Sequence, residues 1–232
     1  MNLDFRGDCV VLRFRRTHIY FVNIHPSVPI IHQYRFLAAL NLSPNTRPPI
    51  ALRYAMWTLA ASVTIKYQNL HVLFYARARK YAELVEMSGH GEKVASTALT
   101  QAWILIGIYE LKMMYYPRAW LSTGRAVRLA QMIGMHRLDG LSSDLKQTLS
   151  PPRDWIEKEE RRRTFWMAFC MDRYATVGTG WPVVIDEEDV SWPPRLRPSY
   201  CIKPLITSTD SYSPTMLRRS IWARPRNSHS FS

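Results

Sequence analysis

Five stretches between residues 50 and 177 repeat their apolar side chains every three or four positions, and no strand-rich region interrupts them. That spacing gathers the apolar residues on one face of an α-helix. The first stretch carries Leu52, Ala55, Met56, Leu59 and Val63. The second carries Leu70, Phe74, Tyr81, Leu84 and Val85 and closes at Ser88-Gly89. The third carries Leu99, Ala102, Trp103, Ile106 and Tyr109. The fourth opens at Pro117, carries Thr123, Ala126, Val127, Ala130 and Ile133, and meets a terminating Gly134. The fifth starts at an N-cap, Asp154, with Glu157 as its capping partner, and runs to about Val177, where Gly178, Gly180 and Pro182 end it. Short connections make sequence neighbours antiparallel. The expected fold is therefore all-α: stacked antiparallel helices around a core rich in Trp and Met.

The flanks carry weaker signals. Residues 1–24 show no clear period and form an uncertain N-terminal segment. His25-Pro26-Ser27-Val28-Pro29 reads as a turn or extended lead-in, with Pro29 in the first turn of a short helix to Leu40. Residues 41–49 read as a loop and residues 183–194 as extended. From residue 195 on, Ser, Pro and basic residues follow one another without period, and a disordered tail is expected. The expected division is an N-terminal segment 1–24, a helical domain 25–194 and a basic tail 195–232.

Composition decides between classes of partner. Apolar residues make up 47% of the 232, enough to build a core. The net charge of +13 first suggests nucleic acid. Yet residues 195–232 hold seven basic residues against one acid, so much of the surplus lies in the tail. Such a tail attracts polyanions without reading a base sequence. The three cysteines, Cys9, Cys170 and Cys201, contain no C-x-x-C. They give neither zinc-finger spacing nor a disulfide framework, which suits a reducing compartment. The longest well-formed uncharged helical run, Val94 to Tyr109, is 16 residues and includes Ser, Thr and Gln. A membrane span needs about 20 mostly apolar residues, so none is expected.

Several constellations invite a chemical reading. In the fifth stretch Glu159 faces Arg162 and Arg163 at ion-pair spacing, and Asp172 and Arg173 lie on or beside the stripe of Phe165, Trp166 and Phe169. A buried unpaired charge is costly, so each is expected to meet a partner on another helix. A network that fixes how the helix docks is favoured over a catalytic acid or ligand clamp. Asp186-Glu187-Glu188-Asp189 would suit Mg²⁺ and a diphosphate in an isoprenoid-type enzyme, but such enzymes need a second acidic motif and none is found. A solvated loop is the favoured reading. His18, His25 and His32 recur every seven residues, but Pro26 and Pro29 break any helix that would align them as metal ligands. Trp103-x-x-Ile106-Gly107-x-Tyr109 partly fits a tetratricopeptide repeat. Only one copy exists, so core packing is the better reading, with a helical adaptor module as the alternative function.

Three of these stretches, taken together, resemble the fungal-specific transcription factor regulatory domain, the middle region of fungal zinc binuclear cluster transcription factors. His25-Pro26-x-x-Pro29-Ile30-Ile31-His32 is similar to its lead-in motif. Ala119-Trp120, Gly124, Ala126, Arg128, Ala130 and Gly134-Met135-His136-Arg137 are similar to its central helix. Glu159-x-Arg161-Arg162-Arg163-x-Phe165-Trp166, Asp172-Arg173, Gly180-x-Pro182 and Asp189-Val190 resemble its most diagnostic block. The resemblance implies nuclear regulation of transcription, of secondary metabolism or nutrient use, without catalysis. It implies protein partners, either a related factor or a second copy, and contact with DNA only indirect or non-specific. Family members hold zinc in an N-terminal six-cysteine cluster that contacts DNA. Nothing here matches that cluster, so no cofactor is expected. The family's Gly-Arg-Pro stands as Gly180-Trp181-Pro182, and its exit as Ser191-Trp192-Pro193-Pro194. The family domain continues for further helices that residues 195–232 do not resemble. The chain therefore reads as incomplete, with an apolar groove left for a partner.

Overall fold

Residues 15–43, 46–139, 149–186, 188 and 190 are described by the computed structural model. Every regular element among them is helical. Helix α1 covers residues 15–23, α2 Gln33–Leu40, α3 Ile50–Ser62, α4 His71–Glu86, α5 Thr97–Lys112, α6 Tyr116–Met132 and α7 Trp155–Thr179. Short 3-10 turns at Ile65–Leu70 and Met135–Arg137 follow α3 and α6. The predicted all-α stack is what forms. Residues 1–14 and 191–232 lie outside the described residues, and with them the readings of a disordered tail and of the Ser191-to-Pro194 exit.

Helix α5 occupies the centre. Ser96 caps it by accepting the Leu99 N–H at 3.2 Å, and every residue from Leu99 to Leu111 is buried. A helix buried all round must be wrapped by others, and α3, α4, α6 and α7 all pack on it. Helices α3 and α4 form one antiparallel pair and α5 and α6 another, with α7 laid across α5 and α6. The crossing is close at Gly107. A Cβ there would sit 2.9 Å from Met171 Cε and 3.2 Å from Thr123 Oγ1. Gly107→Val is therefore expected to push α6 or α7 off α5 and to cost about 1–3 kcal/mol. Urea unfolding measures this, and an unchanged midpoint would rule the clash out.

Four local expectations need correction. Residues 15–23 are helical although no period was assigned there. The pattern is Thr17, Tyr20, Phe21 and Ile24, all buried, and Arg15 and Arg16 obscure it. The short helix begins at Gln33, not at Pro29, because the His32 side chain caps it by accepting the Arg35 N–H at 3.3 Å. In α4 the buried face is Phe74, Tyr75, Ala78 and Ala82, which steps through small residues, and Leu84 is left 48% exposed. Gly178 lies inside α7; the helix ends at Gly180, whose φ of 72° is left-handed and whose N–H donates to Thr176 O at 2.7 Å. Gly134 ends the α6 segment as expected, at φ 77°.

Candidate functional site

The lead-in motif and the Glu-Arg block, 128 positions apart at His32 and Glu160, meet in space. Gln101 of α5 joins them. Its Nε2 donates to Ile30 O at 2.6 Å, to Glu160 Oε1 at 3.2 Å and to Thr164 Oγ1 at 3.3 Å. Glu160 Oε1 also accepts the His32 N–H at 3.3 Å, and His25 Nε2 lies 2.8 Å from Ile31 O. Arg35 of α2 pairs with Asp154, the N-cap of α7. Burial pushes the His25 imidazole below its ordinary value, partly offset by its bond to Ile31. Between motif and helix lies an open cleft of about 340 Å³ with Ile30, Ile31, Trp155 and Ile156 among its walls and Glu159, Glu160 and Arg163 at its polar edge.

The acids and bases of α7 satisfy one another. Asp154 accepts the Glu157 N–H at 2.8 Å, and hydrogen bonds from Arg35 and from that N–H hold its carboxyl down at about 2. Glu157 does not reach back to the Asp154 N–H. It takes the Arg153 N–H at 3.1 Å, because the Arg153 guanidinium holds the same oxygen at 2.9 Å. Burial opposes ionisation of Glu157, yet the bonds from Arg153 and Arg161 outweigh it and keep its pKa low. Glu159 pairs with Arg162 and with Arg163 as the spacing predicted. Arg162 also grips Asp139 through Nε at 2.8 Å and Nη2 at 2.6 Å. Trp166 is half-buried and packs edge-on against Phe165 and Phe169 at 5.2 and 5.5 Å.

Asp172 finds its partners in the returning backbone, where a partner on another helix was expected. Asp172, 1% exposed, accepts the backbone N–H groups of Val184 and Ile185 at 2.9 and 3.1 Å. Arg173 donates to Ile185 O at 2.8 Å and lies 4.6 Å from the Phe169 ring centre. Both hold the chain that turns back after α7, and so Ile185 and Val190 enter the core. The returning segment forms no regular structure, so its buried amides need partners outside it, and Asp172 supplies them for Val184 and Ile185. Gly180 makes the turn, the ring of Trp181 packs edge-on against Trp120 of α6 at 5.3 Å, and Pro182 is exposed.

Other charged groups have structural surroundings. Asp186 and Glu188 are exposed, while Glu187 and Asp189 lie outside the described residues. Among the described residues no three His, Cys, Asp or Glu side chains come together as metal ligands. Three cysteines are too few for the family's six-thiol zinc cluster, and Cys170, the one described, is half-buried on α7. The residues present do not fit that cluster. Sequence reasoning missed the Gln101 junction, signalled only by an amide beside Ala102 and Trp103 on a mostly apolar helix. It also missed Glu110, a fully buried carboxylate of α5 bound by Tyr75 and Arg79 of α4 at 2.5 and 2.7 Å.

The Asp139 pairing predicts a pH dependence. The Arg162 hydrogen bonds hold the Asp139 carboxyl below the usual carboxylate range, against the opposing effect of burial. A depressed folded pKa stabilises the fold above the unfolded value of about 3.9 and ceases to do so as pH falls through the folded value. Arg162→Gln should thus cost about 1 kcal/mol above about pH 5, and the difference from the wild type should shrink below about pH 3.9. Melting curves across pH test this. A gap that stays constant down to the acid limit would contradict it.

Residues 17–218 match the family described as the fungal specific transcription factor domain. The chain is 40% identical over 179 residues to the pigment biosynthesis transcriptional activator pigB of Monascus ruber, covering 76% of this chain and 32% of that protein. It is 36% identical over 169 residues to the citrinin biosynthesis transcriptional activator ctnR of Monascus purpureus, covering 73% and 29%. It is 34% identical over 169 residues to the ascochitine biosynthesis cluster transcriptional regulator of Didymella fabae, again covering 73% and 29%. The chain thus spans about a third of the length of these curated relatives. No solved structure matches it. With the lead-in motif, the central helix and the Glu-Arg block joined in one helical core, and with this match across most of its length, the chain belongs to the fungal specific transcription factor domain family.

Proposed function

We propose that this chain is the regulatory domain of a transcription regulator controlling a fungal secondary-metabolite gene cluster. The observation that carries the reading is its similarity to regulators of pigment, citrinin and ascochitine biosynthesis. The chain would work in the nucleus, without catalysis and through protein contacts, with DNA reached only indirectly or non-specifically. The chemistry of the diagnostic block supports this: Glu159, Arg162, Arg163, Asp172 and Arg173 are engaged in ion pairs and backbone bonds that shape the domain.

Deleting the gene in its host and measuring transcripts of neighbouring biosynthetic genes tests the reading. Loss of several of those transcripts together is expected. Unchanged transcripts under producing conditions, with and without overexpression, would reject it. A fluorescent fusion confined to the cytosol would reject the nuclear part, and a sequence-preferring gel shift at physiological salt would reject indirect DNA contact.

A further inference from the structure

The outward face of α6 carries a basic and apolar stripe that is exposed among the described residues. Helix α6 has no acidic residue along its 17 positions. Arg118, Leu121, Arg125, Arg128 and Met132 follow one another at spacings of three and four, and all are exposed. Leu121 is 61% and Met132 45% exposed. Arg125 is drawn to Glu83 and Glu86 of α4 at 3.6 and 3.5 Å and lies 4.5 Å from the Trp103 ring centre. Arg118 and Arg128 make no ion pair among the described residues. Beside the stripe, between Arg118 and α4, an open groove of about 590 Å³ takes in Lys80 and the 80%-exposed Met87. Lys80 also lacks an ion pair among the described residues.

We infer that this face docks an acidic amphipathic helix from a partner protein, with acidic residues against Lys80, Arg118 and Arg128 and apolar residues against Met87, Leu121 and Met132. From Arg118 to Met132 the stripe runs about 21 Å, the length of roughly four helical turns. Cations without an ion pair among the described residues, with apolar side chains along the stripe, give the charge and the apolar contact that helix-in-groove binding uses. A second copy of this chain suits the face poorly. The chain carries a net charge of +13, and the acids on the first turns of α7 are already held by Arg35, Arg153, Arg161 and Arg162. Nucleic acid would use the cations but would leave Met87, Leu121 and Met132 without a role. The inference deepens the reading of protein-mediated regulation and rests on it for its biological setting. Its test reads binding in solution, so it can fail or succeed whatever the transcript measurements give.

The test uses the full chain and a fluorescent acidic amphipathic peptide of about 15 residues, a scrambled peptide of the same composition, and a random-sequence DNA duplex. At physiological salt the patterned peptide should bind at least about tenfold tighter than the scrambled one. The double variant Arg118→Glu with Arg128→Glu should lose about tenfold, and so should Leu121→Ser with Met132→Ser. Both variants should melt with the wild type, since all four side chains are exposed. Equal binding of patterned and scrambled peptides would overturn the inference, because it would mean charge alone. Preferred binding of the duplex, lost with the charge variant and kept by the Leu121/Met132 variant, would overturn it in favour of nucleic acid.

Discussion

Replacing Arg79 with Met should destabilise the domain by about 3–5 kcal/mol at neutral pH. Glu110 is fully buried, and one of its oxygens takes both the Tyr75 hydroxyl at 2.5 Å and the Arg79 guanidinium at 2.7 Å. Its other oxygen has no partner among the described residues. The carboxylate therefore depends on Arg79, and removing the guanidinium leaves a buried charge with a single hydroxyl. Burial works against the Arg79 charge, but Tyr75, Glu83 and Glu110 outweigh that and raise its pKa. The same burial, with the bond to Glu110, raises that of Tyr75. The size of the loss thus comes from stranding Glu110 more than from the net worth of the pair. A second substitution separates these. Arg79→Met with Glu110→Leu removes both charges and should recover most of the loss, leaving about 1 kcal/mol for the orphaned Tyr75 hydroxyl. Urea midpoints at constant m-value measure both variants. A single-variant loss below about 1 kcal/mol, or a double variant as unstable as the single, would refute the account.

Trp103→Ala should cost about 3–5 kcal/mol through a different mechanism, the cavity left by the largest fully buried side chain among the described residues. Trp103 stands where α4, α5 and α6 meet, with the Arg125 and Arg79 guanidinium groups 4.5 and 5.6 Å from its ring centre. Losing the indole removes packing on α5 and the ring face over which both cations lie. Small domains are stable by only about 5–15 kcal/mol. The variant should melt at much lower temperature, or without a cooperative transition in near-ultraviolet circular dichroism. Trp103→Phe keeps an aromatic face and should recover part of the loss. A Trp103→Ala protein melting within a few degrees of wild type would mean that the three helices are not held together there.

The long, strongly periodic elements were legible from sequence because their signals are local. The α5 helix, the Pro117 start of α6, the Asp154 cap and the Glu159 ion pairs rest on residues a few positions apart, and all four appear, although α5 is buried all round and not on one stripe. The Glu-Arg block was also legible as a family signature. The misreadings have local causes too. Arg15 and Arg16, directly before Thr17, hid the period of α1. In α4, apolar size suggested Leu84 for the core where Ala78 and Ala82 actually turn inward, because a close helix pair there needs small residues.

What the sequence by itself determined is the helices from α2 to α7, several of their ends, and the class of architecture they must form, since periodicity, caps and glycine stops act through neighbouring residues. What only the tertiary structure decided is who meets whom. Gln101 ties the lead-in motif to α7, Asp172 clasps the backbone at Val184 and Ile185, Asp139 receives Arg162, and Glu110 lies between Tyr75 and Arg79. Each of these joins residues from 12 to 71 positions apart. A buried polar group announces that it needs a partner but not where the partner lies, because the geometry that selects it exists only once the helices have packed.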